Sequence, residues 1–333
     1  MNKVKVGLIG TGHLGKIHLK LFKELQNCEL IGVYDIDSQK AKQSASEFGV
    51  TSFENLSDLL NAVDGVSIVA TTSAHYELVK SAFDLNKHVF VEKPITALIS
   101  EAEELVKISE EKKLKLQVGH IERFNPALVS VEDYVNNPMF IQTDRLAQFN
   151  PRGTDVAVVL DLMIHDIDII LSLVKSEVRD VKASGVAVVS DKIDIANARI
   201  EFENGAVANV TASRISQKKM RKMRMFQRDT YISLDFITGA SEIFRLVPPD
   251  NMPNGSYIPF GEIGVGDKKK VVIYEQPGQK EINALKYELQ LFVNSILTDE
   301  KPPVTGADGL KALKVAEMII KEIEESIKRV QVK

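Results

Sequence analysis

A single cysteine, Cys28, stands in 333 residues. That scarcity excludes an internal disulfide framework and a cysteine-rich zinc site, and it fits a reducing compartment. Long apolar runs are missing as well: none approaches the ~20 residues that a membrane helix needs. The N-terminus carries no secretory pattern, because the strand-like Val4–Ile9 runs directly into glycines without an apolar h-region or a small-residue cleavage site. The expected address is therefore the cytoplasm. There is no low-complexity tract, and neither sign of charge dominates: 42 Lys and Arg stand against 46 Asp and Glu, a net charge of −4. Such a chain has no general attraction for nucleic acid or an anionic membrane, so an anionic ligand must be held by local basic groups.

What is present is an ordinary globular composition, 44% hydrophobic and 26% charged, in a chain long enough for two domains. At first two periods alternate. Short apolar runs at Val4–Ile9, Leu30–Tyr34, Val66–Ala70, His88–Val91 and Lys115–Val118 are separated by amphipathic stretches near Leu14–Gln26, Ser38–Phe48, Ala74–Asn86 and Ile99–Lys112. Strands alternating with helices predict a doubly wound parallel sheet, covered on both faces and joined by right-handed crossovers, over residues 1–121. After Gly119 the rhythm changes. A helix is expected over Pro126–Asn136, a strand over Met139–Phe149 and a long apolar helix over Val156–Val174. Strand patterns follow over Val178–Val189, Ala196–Phe202, Val207–Ser213, Met220–Gln227 and Tyr231–Phe236, with Asn204-Gly205 as a hairpin turn. The Gly/Pro-rich Pro248–Gly266 reads as a long loop, and two amphipathic helices, Ala284–Leu297 and Ala307–Lys328, close the chain. Residues 122–333 thus predict a second α/β domain, built on a largely antiparallel, open-faced sheet.

Gly10-Thr11-Gly12-His13-Leu14-Gly15 is a G-x-G-x-x-G that follows a strand and opens a helix. The first glycine permits the tight turn, the second lets the backbone approach a diphosphate, and the third lets helix and strand pack closely. The helix N-terminus adds unpaired N–H groups and a partial positive charge. Asp35 ends the next strand, 20 residues beyond Gly15, where a carboxylate accepts hydrogen bonds from an adenosine ribose and repels a 2′-phosphate. Loop and acid together predict a dinucleotide site with NAD favoured over NADP. No arginine follows Asp35, although Lys40 lies nearby.

In an open parallel sheet, ligands sit beyond the carboxyl ends of the strands. The polar groups there are Thr71-Thr72-Ser73, Glu92-Lys93-Pro94 and Gly119-His120. Lys93 precedes a proline, which favours an extended backbone that can project the ammonium outward; a solvated turn lysine is the plain alternative. In the long apolar helix, regular α geometry would bring Asp161, His165 and Asp168 within ~60° of one another, with Asp166 pointing elsewhere. Ionisable groups on a buried helix are costly unless they are paired or face a cavity. Asp161 and His165 suit general acid–base work, and they equally could satisfy each other in the core. With a single nearby imidazole and no further ligand motif, no metal is expected. His13, His18, His75 and His88 read as structural, and His120 stays open. The basic run Lys218–Arg224 reads as a solvated strand or as a face toward an anionic substrate.

With Gly10–Gly15, Glu92-Lys93-Pro94 and Asp161…His165 in this order and spacing, the chain resembles the Gfo/Idh/MocA oxidoreductases over nearly its whole length. The resemblance implies a Rossmann domain plus an open-faced α/β domain whose sheet forms the subunit interface, hence a homodimer or homotetramer. It implies that Lys93, Asp161 and His165 lie at the nicotinamide and the reacting carbon. It also makes Thr71, Thr72, His75 and Glu92 cofactor contacts beside the glycine loop. Gly119–Pro126 and Asp161–Asp168 look like the members that oxidise UDP-N-acetylglucosamine at its 3-hydroxyl, which makes Arg123, Asn125 and Arg152 candidate substrate contacts. Two positions depart from the family pattern: Met163 stands where a glycine is frequent, and Thr71 where a proline is common. The expected activity is hydride transfer from a secondary sugar hydroxyl to NAD. The rivals are oxidation of a free polyol such as an inositol, and a sensor that holds NAD without turnover.

Overall fold

The protein is described by a computed structural model covering residues 3–150, 156–278 and 280–331. In chain order it begins β1 (Val4–Ile9), α1 (His13–Glu24), β2 (Cys28–Tyr34), α2 (Ser38–Phe48), β3 (Thr51–Ser52), α3 (Leu56–Ala62), β4 (Gly65–Ile68), α4 (Thr72–Asp84), β5 (His88–Glu92), α5 (Ile99–Glu111) and β6 (Leu116–Gly119). These strands form one parallel sheet in the order β3-β2-β1-β4-β5-β6. The expected doubly wound fold is present. β1 buries nearly every residue, as a central strand covered on both faces must. The chain order reverses between β1 and β4, and that switch opens the crevice into which α1 and α4 direct their N-termini.

The chain continues through α6 (Pro126–Val129), β7 (Phe140–Leu146), a π-helix at Val159–Met163, α7 (Ile164–Val174), β8 (Val178–Val186), β9 (Ile195–Phe202), β10 (Val207–Ser213), β11 (Met220–Gln227), β12 (Thr230–Asp235), β13 (Ala240–Val247), β14 (Ile258–Ile263) and β15 (Lys270–Glu275), and ends with α8 (Ala284–Thr298) and α9 (Gly306–Gln331). The second sheet has the order β14-β15-β13-β12-β11-β7-β10-β9-β8. It is antiparallel except where β10 pairs parallel with β7. On β10 and β11 the inward residues Ala208, Val210, Met223 and Met225 are fully buried.

The chain divides into two compact units, one of residues up to Ile121 with Asn283–Lys314, the other of Glu122–Ile282 with the chain from Val315 onward. The second unit is therefore not the contiguous block 122–333 expected from the sequence. The cause is apolar: Leu289, Phe292 and Val293 of α8 join Val6, Phe22 and Phe90 in one buried cluster, which claims α8 for the parallel sheet.

Three local expectations change. The helix expected over Pro126–Asn136 stops at Val129; Glu132–Tyr134 forms only a 3-10 turn, and Asn137 takes the left-handed conformation at φ 55°. The expected loop Pro248–Gly266 contains β14, whose six residues are all exposed, so no inside–outside alternation marks it. Pro259 within it is tolerated because β14 is an edge strand. The short β3 and α3 lie in a stretch that carried no expectation. The long helix opens with a π-helix rather than an α-helix.

One buried charge network anchors this second unit. Arg145 on β7 is 2% exposed and grips Asp166 of α7 through two bonds of 2.8 Å, while its Nη1 donates to Glu122 at 3.0 Å. Arg221 reaches the same Glu122 oxygen at 3.2 Å. Burial opposes the charge on Arg145, but the carboxylates of Asp166 and Glu122 more than offset it and hold the guanidinium above its usual range. Removing one partner of such a cluster leaves an uncompensated buried charge. Arg145→Ala should therefore lower unfolding free energy by about 3–5 kcal/mol, read from urea denaturation; an unchanged midpoint would mean that Asp166 and Glu122 reach water.

Candidate active site

The first unit presents its polar groups at the carboxyl ends of β1, β2, β4 and β5. Gly10 sits at φ 95°, and a Cβ there would lie 2.5 Å from the Val69 carbonyl. At Gly15 a Cβ would meet the Gly10 carbonyl at 2.0 Å, so only glycine lets α1 sit this close to the turn. Gly12 is the contrast: nothing lies within 4 Å of an added Cβ, and it precedes α1 with no side-chain cap and no acid in the first turn. That open, uncapped helix start is the cradle a diphosphate needs, and it fits a dinucleotide.

Asp35 ties the turn together. Its Oδ2 accepts from the Thr11 amide at 2.7 Å and from the Thr11 hydroxyl at 2.9 Å, and its Oδ1 accepts from the Asp37 amide at 2.9 Å. Thr11 is thus a buried strut of the loop, while His13 and Leu14 are exposed on the first turn of α1. Beside Asp35 stands Ile36, 95% exposed, an apolar side chain with nothing of the protein to cover it. Sequence reading passed over Ile36; its signal is an isoleucine directly after the strand-ending acid.

Thr71 precedes α4 without capping it, so the N–H groups that open at Thr72 face the same crevice rim. His75 is buried: Nδ1 lies 2.9 Å from the Pro94 carbonyl and Nε2 lies 3.2 Å from the Ala70 carbonyl. Burial pushes its imidazole pKa below the usual value, against the two carbonyls, which favour the protonated ring. Its place is a strut between the ends of β4 and β5 rather than a surface contact. Lys93 follows β5 directly, half-buried, in a cis peptide bond to Pro94. Glu92 is held from below by His18, whose Nε2 is 3.2 Å from its Oε1 and whose Nδ1 is 3.0 Å from the Ser67 hydroxyl. Gly119 makes room for that carboxylate, since a Cβ there would stand 3.0 Å from it.

In the second unit the ionisable residues of the long helix separate into two sets. Asp166 and Asp168 are buried, and each meets an arginine: Arg145 takes Asp166, and Arg123 takes Asp168 through bonds of 2.7 and 2.6 Å. Asp161 and His165 are only half-buried, and Asp161 lines a cavity of about 790 Å³. The expected stripe of three thus loses Asp168. The π-helix, with its wider i→i+5 turn, also breaks the even ~100° spacing assumed between Asp161 and His165. Asn125, expected near substrate, caps α6 through the Ala127 amide and donates to Glu122 and the Phe236 carbonyl. It holds the backbone in place, as Arg123 holds α7. Arg152 lies outside the described residues. Among the described residues no cluster of His, Cys, Asp or Glu could hold a metal ion, and no helix is long and apolar enough to cross a membrane.

Residues 4–120 match the Gfo/Idh/MocA model described as an oxidoreductase family with an NAD-binding Rossmann fold, and residues 130–230 match the C-terminal domain model of the same family. The chain is 34% identical over 330 residues to UDP-N-acetylglucosamine 3-dehydrogenase of Acidithiobacillus ferrooxidans, covering 99% of this chain and 100% of that protein. The solved structure of the Acidithiobacillus ferrooxidans enzyme superposes with a TM-score of 0.86 over 98% of this chain and 99% of that chain, at 33% identity. A more distant relative is the myo-inositol 2-dehydrogenase of Thermotoga maritima, 24% identical over 97% of each chain. The scyllo-inositol dehydrogenase of Lactobacillus casei, solved with NAD(H) and scyllo-inositol, shares the fold with a TM-score of 0.75 at 22% identity, covering 98% of each chain. The chain belongs to the Gfo/Idh/MocA oxidoreductase family.

His75 carries a pH consequence. The folded chain keeps the ring neutral, whereas the unfolded chain protonates it below about pH 6.5. The depressed folded pKa therefore contributes stability that is complete above that pH and declines as pH falls through it, with His88 acting in the same direction. His75→Gln should flatten the fall in unfolding free energy between pH 7 and 5, by at most about 1.4 kcal/mol per pH unit. Identical slopes for the two proteins would mean that His75 is charged in the folded state.

Proposed function

We propose that this protein oxidises the 3-hydroxyl of UDP-N-acetylglucosamine with NAD. The observation that carries the reading is the placement of Asp161 on the cavity wall, on the helix that also bears His165, while Asp166 and Asp168 of the same helix bind Arg145 and Arg123. Identity over the full chain to an enzyme named for that reaction supports the choice of substrate. NAD is favoured over NADP because Asp35 repels a 2′-phosphate and its neighbour is the exposed, uncharged Ile36.

When bound, NAD supplies the acceptor for a hydride from the carbinol carbon. His165 takes the hydroxyl proton as general base, and Asp161 orients its imidazole. Lys93 stabilises the negative charge that develops on the sugar oxygen. Gly12 and the uncapped start of α1 receive the diphosphate of the dinucleotide. A free polyol is the competing substrate.

The protein also works as a homo-oligomer, through the face of the second sheet opposite its buried side. That face carries a row of aromatics, Phe140, Phe226, Tyr231, Phe244 and Tyr274, whose neighbouring ring centroids lie 4.8–5.8 Å apart. Phe226 is 40% exposed and Phe260 at the row's end is 65% exposed. Charges of both signs share the face, including Arg224 and Glu242, as a self-complementary two-fold contact requires.

Mixing protein, NAD and UDP-N-acetylglucosamine should raise NADH absorbance, with NADP a poorer cofactor and free inositols inert. His165→Ala should lower kcat by ~10²–10⁴ while sparing NAD affinity. Turnover of inositol but not of the nucleotide sugar would replace the substrate, and an active His165→Ala variant would remove the base.

A further inference from the structure

The cavity beside Asp161 has more cations than sugar oxidation needs. Its lining includes Arg214, Lys219 and Arg221, together with Phe149, Phe236 and Ile237. Arg214 is buried and bonded to the carbonyls of Val156 and Ile193, so it serves the wall. Arg221 gives one N–H to Glu122, 3.2 Å away, yet its side chain is 49% exposed, and most of its donors are unassigned by that bond. Lys219 is exposed, and among the described residues it has no ion-pair partner. Lys219 directly precedes β11 and Arg221 is its second residue, and both line the same cavity. Two neighbouring cations suit two linked phosphates better than a single uncharged ring. At the same mouth Phe149 is 51% and Ile237 53% exposed, which gives a flat base an apolar surface.

We propose that the β11 edge of this cavity is a diphosphate subsite, with Lys219 and Arg221 as its cationic ligands, so that the nucleoside diphosphate end of the substrate is gripped there and its sugar is directed toward Asp161. The inference rests on the nucleotide-sugar reading and adds to it the residues that read the nucleotide. A free polyol would leave Lys219 without a role, and Arg221 with only its bond to Glu122.

The test uses the whole protein with saturating NADH, which keeps the dinucleotide site filled. UDP, UMP and uridine are titrated calorimetrically against wild type, Lys219→Ala and Lys219→Glu, and KM and kcat are measured with UDP-N-acetylglucosamine. UDP should bind more tightly than UMP, and uridine most weakly. Losing one charged hydrogen-bond donor should weaken UDP about ten-fold in Lys219→Ala and further in Lys219→Glu, and KM should rise in parallel with a much smaller change in kcat. UDP affinity equal in all three proteins, no UDP binding to wild type, or UMP binding as tightly as UDP would each overturn the subsite. If UDP behaves as expected but the nucleotide sugar is not oxidised, the subsite stands and the substrate assignment falls.

Discussion

A charge taken out of water must find its opposite, and in the second unit that requirement decides what each polar residue is for. Arg145, Glu122 and Asp166 are almost wholly removed from solvent, and each is tolerable because the others are there. The same rule makes Arg123 the counterpart of Asp168. Two arginines thus neutralise two of the carboxylates on one apolar helix, and they also fix its rotation against β7 and the 122–125 turn. Asp161, by contrast, is half-buried and lines the cavity of the second unit.

The first unit solves a different problem, how to bring backbone close to a doubly charged ligand without filling the space with side chains. Its three loop glycines do three separate things: one permits the turn, one leaves an opening, one lets a helix approach a carbonyl. Asp35 ties that arrangement together, since one oxygen braces Thr11 and the other accepts from the Asp37 amide. His18, Ser67 and Glu92 form a comparable internal brace under the turn that bears Lys93.

Much of this was legible in the residues. The alternation of short apolar runs with amphipathic stretches marks the parallel sheet, because buried strands there are apolar without interruption, and the glycine loop with Asp35 marks the cofactor crevice. Other features leave no such trace. β14 is exposed at every position, so it has no periodicity to read. A π-helix has the composition of an α-helix. The likeness of Gly119–Pro126 to the nucleotide-sugar members makes Arg123 and Asn125 candidate substrate contacts; only coordinates reveal that Asp168, Glu122 and Phe236 engage them. Helix α8 looks like part of the second domain because it follows it in sequence, whereas its apolar face is claimed by Phe22 and Phe90, far earlier in the chain.

The wide turn at Val159–Met163 also bears on how such a helix could be altered by insertion or deletion. A single-turn π segment is an α-helix carrying one surplus residue. Loss of one residue from this stretch would restore regular winding with no change in hydrophobicity, and would swing everything upstream of it by roughly 100°. Asp166, Asp168 and their arginines, which lie beyond the π segment, would stay in register, while the buried Val158 before it would turn. The helix would be altered by a change of phase rather than of chemistry.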